Sequence, residues 1–311
     1  MCPCAAAAEN GHLVVIQWSR EKGLPWNAAT CVRAAMGGHL DVLKWAHEEH
    51  GCQWDGETCR IAAEYGHLDV LRYARENGCP WPWRCLASSS AAQGGHLELL
   101  EWALENGCPY SESMYSGAAF EGRLGILQWL YDNAYPWCAD ACRAAAYGGQ
   151  LETLKWLHEK GCPWAANTCG NAALRGHFKC LQYAHENGCP FDEGTCANAA
   201  RSGCLNSLKY AHDHGCPWDE TTYVNASHSA AYFGHLEVLQ FAHENGCPMA
   251  WHPETCWGAT DCGHLDVLKY ARANGCPWGI LTYQMARNRT TPFRGNRTEI
   301  LQWLRDNGCP E

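Results

Sequence analysis

The chain has 311 residues and a formal net charge of −10, and it combines many Trp (16), Cys (22) and Gly (31) with few Phe (6). That acidic balance repels phosphate backbones and speaks against nucleic-acid binding. No stretch approaches the ~18 apolar residues of a membrane span, and the opening MCPCAAAAENGHLVV lacks the basic and apolar regions of a signal peptide. The expectation is a soluble, cytoplasmic monomer with no membrane contact, whose thiols stay reduced and whose cysteines act as small buried hydrophobes.

In chain order, a segment of the type GHLDVLKWAHE recurs with its Gly at 11, 38, 66, 95, 122, 149, 176, 203, 234 and 263, and a degraded copy begins at Asn296. The spacing is 27 residues in five of ten intervals, which marks a repeat architecture. Residues 1–29 form a partial first repeat, and 279–311 an irregular last one with the loop Arg289–Arg294 inserted. The whole chain, 1–311, reads as a single array. The basic residues Arg287, Arg289, Arg294 and Arg297 near its end fit a solvated loop.

Residues 55–81 illustrate one unit. Thr58–Tyr65 carries small apolar residues at helical spacing, with Asp55 placed to cap it and Gly66 to end it. Leu68–Asn77 puts Leu68, Leu71 and Ala74 on one face with Val70 and Tyr73 beside them, and Gly78-Cys79-Pro80-Trp81 forbids further helix. Ten of the 14 prolines occupy this slot. A pair of such short helices buries too little to fold alone, so the units must stack. The Ala pairs (such as 62–63 and 172–173) permit close approach, and the aromatic slot of the second helix (Trp18, Trp45, Tyr73, Trp102, Trp129, Trp156, Tyr183, Tyr210, Phe241, Tyr270, Trp303) is expected to fill the core. Replacing Ala62 by a large residue, or Trp156 by Ala, should then cost a few kcal/mol.

The string A-A-x-x-G-H-L-[DE]-V-L-K-W-x-x-E-N-G resembles the core of the ankyrin repeat over about residues 5–309. Two features depart from it. The usual T-P-L-H opening is replaced by E-T-C-x, and the period lacks the stretch that forms the β-hairpin. Short copies ending in G-C-P-W are similar to those expanded in large DNA viruses of amoebae and in some protists, which would place the protein in a host cytoplasm. The resemblance implies an all-α fold, an α-solenoid of about eleven stacked helix-turn-helix repeats with reduced or absent β-hairpins. It also implies a concave first-helix face that binds other proteins.

Chemistry beyond binding has little support. Zinc sites usually show paired ligands such as C-x-x-C, and the chain has none. The nearest approaches are His47-x-x-His50-x-Cys52 and His212-x-His214-x-Cys216. The His of G-H-L is expected to bond backbone across a turn. Equivalent Cys in adjacent units should lie ~8–10 Å apart, too far to bridge, although a pair such as Cys52–Cys59 could come nearer. No phosphate loop, nucleophile elbow or H-E-x-x-H is present, so no enzyme activity and no cofactor is expected.

Recognition should use positions that vary over the fixed framework: the two residues before the Gly and the one before the Ala pair. These give the candidate partner-binding residues Arg33, Met36, Ile61, Glu64, Tyr65, Gln93, Phe120, Glu121, Tyr147, Leu174, Arg175, Arg201, Tyr232 and Phe233. Exposed aromatics with Arg are typical interface anchors, and the acidic total favours a basic partner protein. Two alternatives stand beside this scaffold: a Cys/His-rich metal-binding or redox-sensing array, and a degenerate product with no selected partner. The spacing also marks one irregularity, four added residues around Ala226–Ser229, about one helical turn.

Overall fold

The computed structural model describes residues 3–24, 27–49, 51, 54–81, 86–138, 140–165, 167–192, 194–247, 251–287 and 297–310. Helices account for all regular structure among these residues. The inserted loop Arg289–Arg294, and His50 and Cys52 of the proposed ligand and bridge sets, lie outside them. The chain separates into two compact units, Met1–Pro163 and Trp164–Glu311.

Each repeat is two antiparallel helices joined by a glycine turn. Helix α5 (Gly56–Tyr65) starts where Asp55 accepts a hydrogen bond from the Glu57 amide, and it ends at Gly66 with φ of 79°. Helix α6 (Leu68–Glu76) follows and ends at Asn77. A side chain at Gly66 would be strained by that φ, and its Cβ would also run into the ring of His96 from the next repeat. Gly78, at φ of 85°, has nothing within 4 Å and meets only the backbone requirement.

The histidine thus has a partner that its own turn does not supply. Nε2 of His39, His67 and His96 donates to the carbonyls of Glu9 (3.1 Å), Met36 (3.0 Å) and Glu64 (3.0 Å), each at the end of the preceding repeat's first helix. Arg123 fills the same slot and donates from Nε to the Gln93 carbonyl (3.2 Å). The histidine does bond backbone as expected, but it latches neighbouring repeats together. These first-helix carbonyls are the ones left open at a helix C-terminus.

Within each unit, successive first helices pack directly on one another. The Ala pairs at 62–63, 118–119, 145–146, 172–173 and 199–200 are all fully buried. The core side chains of the second helices are aliphatic: Leu43, Leu71, Leu100, Leu127 and Leu154 in the first unit, and Leu181, Leu208, Leu239 and Leu268 in the second. The aromatic slot is therefore not the core. Trp45 is buried, Trp18 is 54% exposed, and Tyr73, Trp102, Trp129, Trp156, Tyr183, Tyr210, Phe241, Tyr270 and Trp303 are half-buried. The reason is angular. Val70, Leu71 and Ala74 point inward, and Tyr73, two residues beyond Leu71, is rotated about 200° from it to the edge of the buried stripe.

At that edge the slot meets the aromatic of the G-C-P-W loop. Trp54 approaches Tyr73 of the next repeat at 5.9 Å between ring centroids, Trp81 approaches Trp102 at 6.4 Å, and Trp137 approaches Trp156 at 6.3 Å. In the second unit, Trp164–Tyr183, Trp218–Phe241 and Trp278–Trp303 repeat the contact at 6.5, 5.9 and 5.7 Å. A basic or imidazole group at the end of the second helix covers the loop ring: His47 on Trp54 (3.8 Å), Arg75 on Trp81 (4.4 Å) and Arg272 on Trp278 (4.0 Å).

Candidate protein-recognition surface

The first helices present their variable positions in contact across repeats. Arg33 pairs with Glu9 of the preceding helix at 2.9 Å. The exposed Gln93 reaches Glu121 at 3.5 Å, and the rings of Phe120 and Tyr147 lie 5.9 Å apart. Met36, half-buried, sits beside Arg33, with Nη1 3.6 Å from its sulfur. Glu64 pairs with Arg60 on its own helix, and Tyr65 is 42% exposed. In the second unit Leu174 is half-buried, Arg175 and Arg201 are exposed, Tyr232 is half-buried and Phe233 is 63% exposed.

Ile61 does not belong to this surface, because it is 9% exposed and part of the core. The residue before the Ala pair faces the adjacent first helix. Asn198, at the equivalent position, donates through Nδ2 to the Gly170 carbonyl of the preceding repeat (3.2 Å). The recognition positions are therefore mainly the two residues before the Gly.

One part of this face departs from the rest. Helix α17 (Glu220–Phe233) has 14 residues, so the added segment does extend a first helix by a turn. It begins with a reciprocal cap: Asp219 accepts from the Thr222 amide (3.0 Å), while the Asp219 amide approaches Thr222 Oγ1 (3.4 Å). Beside it, helix α19 (Pro253–Cys262) has ten residues. Between them lies an open cavity of about 360 Å³ whose lining includes Glu220, Ser227, His228, Tyr232, Trp251 and Glu254. Tyr232 packs edge-on against Trp257 (6.1 Å), and Gly258 leaves room for its ring. Burial, and then the negative charge of Glu254 with that of Asp261 further away, pushes the Tyr232 hydroxyl above the ordinary tyrosine range. Only Tyr232 of these lining residues was legible as a site residue. The four-residue insertion was the signal for Ser227 and His228.

The cysteines form a second pattern. Cys59 Sγ lies 3.0 Å from Cys79 Sγ, and Cys142, Cys169 and Cys196 direct Sγ to the carbonyls of Cys162 (3.8 Å), Cys189 (3.7 Å) and Cys216 (3.7 Å). Each pair is 20 residues apart, buried and unbridged. The shared hydrogen bond with Cys79, reinforced by burial, pushes the Cys59 thiol far up. Among the described residues no group of three or more His, Cys, Asp or Glu could hold a metal ion. His212 lies instead against Trp218 (4.1 Å), and Cys216 Sγ is 3.7 Å from the Pro217 carbonyl. No helix of the described residues is long and apolar enough to cross a membrane.

The family model for ankyrin repeats (many copies) matches residues 142–185 and 196–243. Those segments are thus ankyrin repeats, a module that in general binds other proteins. Among solved structures, the ankyrin repeat domain of human ASB11 is similar at 18% identity and a TM-score of 0.41, over 52% of this chain and 85% of that one. The pentatricopeptide repeat protein PPR10, in complex with an 18-nt psaJ RNA element, is similar at 13% identity and a TM-score of 0.47, over 98% of this chain and 52% of its own. No curated protein matches the sequence.

Proposed function

We propose that the protein is a non-catalytic scaffold that binds a partner protein through the outward face of its first helices. The reading is carried by the run of varied, part-exposed side chains that touch from one first helix to the next, as Gln93 with Glu121 and Phe120 with Tyr147 do, above buried alanines and half-buried latching histidines. The formal charge of −10 favours a basic partner.

The test is affinity capture from cell lysate with quantitative mass spectrometry, comparing the wild type with Tyr65→Ala/Phe120→Ala/Tyr147→Ala/Tyr232→Ala. A second variant, Lys44→Ala/Arg72→Ala/Lys155→Ala/Lys209→Ala, changes the second helices instead. Loss of a specific partner with the first variant alone supports the reading. Equal recovery with both, each confirmed to fold, contradicts it.

A redox-sensing array is the second reading, favoured by the repeated buried thiol pairs. Oxidation by diamide would join the two sulfurs of a pair and pass their two hydrogens to the reagent. A native chain that retains every thiol under diamide, while the unfolded chain loses them, would reduce the pairs to packing.

A further inference from the structure

The cavity beside α17 has a composition that restricts what it can hold. Glu220, Val224, Ser227, His228 and Ala231 recur at helical spacing along one side of α17, opposite Trp251, His252, Glu254 and Thr255. Both carboxylates are exposed at the cavity, and the described lining residues include neither Lys nor Arg. An anion would meet Glu220 and Glu254, with only the imidazoles of His228 and His252 beside them, the latter already 3.7 Å from the Glu254 carboxylate. A purely apolar group would leave polar atoms stranded. Ser227 is 6% exposed with its Oγ beside the Tyr223 hydroxyl, and Trp251 Nε1 is buried with no acceptor. A buried donor is rarely left without an acceptor, and the Trp251 indole marks a contact that a ligand can supply.

Two carboxylates beside the rings of Trp251 and Tyr232 fit a cation. A guanidinium suits them better than an ammonium, because it is planar, weakly hydrated, stacks on aromatic faces and pairs with carboxylates through a fork of donors. The Trp251 indole can only donate, and so needs an acceptor that a guanidinium lacks and a peptide carbonyl provides.

We infer that this cavity binds an arginine side chain within a peptide segment of the partner, with the guanidinium at Glu220 and Glu254 and a neighbouring backbone carbonyl at the Trp251 indole. The inference deepens the scaffold reading and rests on it. It assigns the cavity a role that the regular repeats do not have, since they lack the added turn.

The test titrates the full chain with the peptide acetyl-Gly-Ser-Arg-Ser-Gly-amide and with the same peptide carrying citrulline, which keeps the shape and removes the charge. The readout is the Trp251 indole N–H resonance, identified by its loss in Trp251→Phe. The arginine peptide should shift that resonance and bind about tenfold or more tightly than the citrulline peptide, with Glu220→Gln/Glu254→Gln removing the difference. Equal binding of the two peptides, or no shift of the Trp251 resonance by the arginine peptide, overturns the inference. If the peptide fails while capture of a partner still depends on Tyr65, Phe120 and Tyr147, the cavity assignment falls and the scaffold stands. If capture ignores those residues, the scaffold falls with the assignment that rests on it.

Discussion

Two adjacent repeats of the second unit show what the framework fixes and what it leaves free. The regular one pairs α15 (Thr195–Ser202) with α16 (Leu205–Asp213), and the long one pairs α17 with α18 (Leu236–Glu244). Both start at an Asp–Thr contact, Asp192 with Thr195 and Asp219 with Thr222. Both bury an Ala pair, 199–200 and 230–231, and both end on a glycine of positive φ, Gly203 and Gly234. Between those points they differ. The regular repeat buries Cys196 beside Cys216, whereas the long one buries Tyr223 near Cys247 and adds a turn. The added turn, unmatched by α19, opens the cavity. Identical ends hold the stack, and the middle of the first helix is where this chain can change its surface.

The comparison breaks most severely if the aliphatic core is cut. Leu208→Ala and Leu239→Ala should each cost about 2–5 kcal/mol, measured by chemical denaturation, because both side chains are fully buried in equivalent places. In the first unit, Trp156→Ala should cost less than Leu154→Ala, since Trp156 is half-buried and Leu154 is not exposed at all. The opposite order would return the aromatic slot to the core.

Next in size is the latch. Gly203→Ala combines a strained φ of 73° with a clash against the His235 ring, for a total of about 2–4 kcal/mol. Gly215→Ala, at φ of 78° with nothing within 4 Å, should cost only about 1–2 kcal/mol. His235→Ala should relieve the first substitution and leave the second unchanged. Equal melting of the two glycine variants would remove the ring contact from the account.

Smaller again is the cap of the long helix. Asp219→Ala should cost about 1 kcal/mol by thermal melting. Deleting Val224–Ser227 sharpens the comparison differently. The repeat should regain regular length and still fold, with arginine-peptide binding lost, because the deletion removes one of the cavity's buried polar side chains. Retained peptide binding in a folded deletion variant would separate the cavity from the added turn.

Much of this architecture could be read from the sequence. Gly66, Gly203 and the slot around Cys79-Pro80 punctuate the chain so regularly that helix boundaries follow, and Asp55, Gly66 and Asn77 occupy the cap positions expected of them. Depth was harder to read. Helical spacing puts Tyr73 beside Val70 at the edge of the apolar stripe, but only the neighbouring repeat decides whether that edge is covered, and the covering residue, Trp54, sits in a loop that periodicity does not describe. The same limit hid the partner of His67, a carbonyl 31 residues earlier. It also placed Ile61 on the surface, where an adjacent helix buries it. At the cavity, the insertion showed where the pattern breaks, but not that Trp251 and Glu254 would stand opposite it.

The central claim is that recognition belongs to the outward face of the first helices and not to the second helices. Hydrogen–deuterium exchange of the full chain, free and bound to its captured partner, tests this most directly. The account predicts new protection over 220–233 and 251–257, with 236–244 and 265–273 unchanged. Protection confined to those second helices would contradict it.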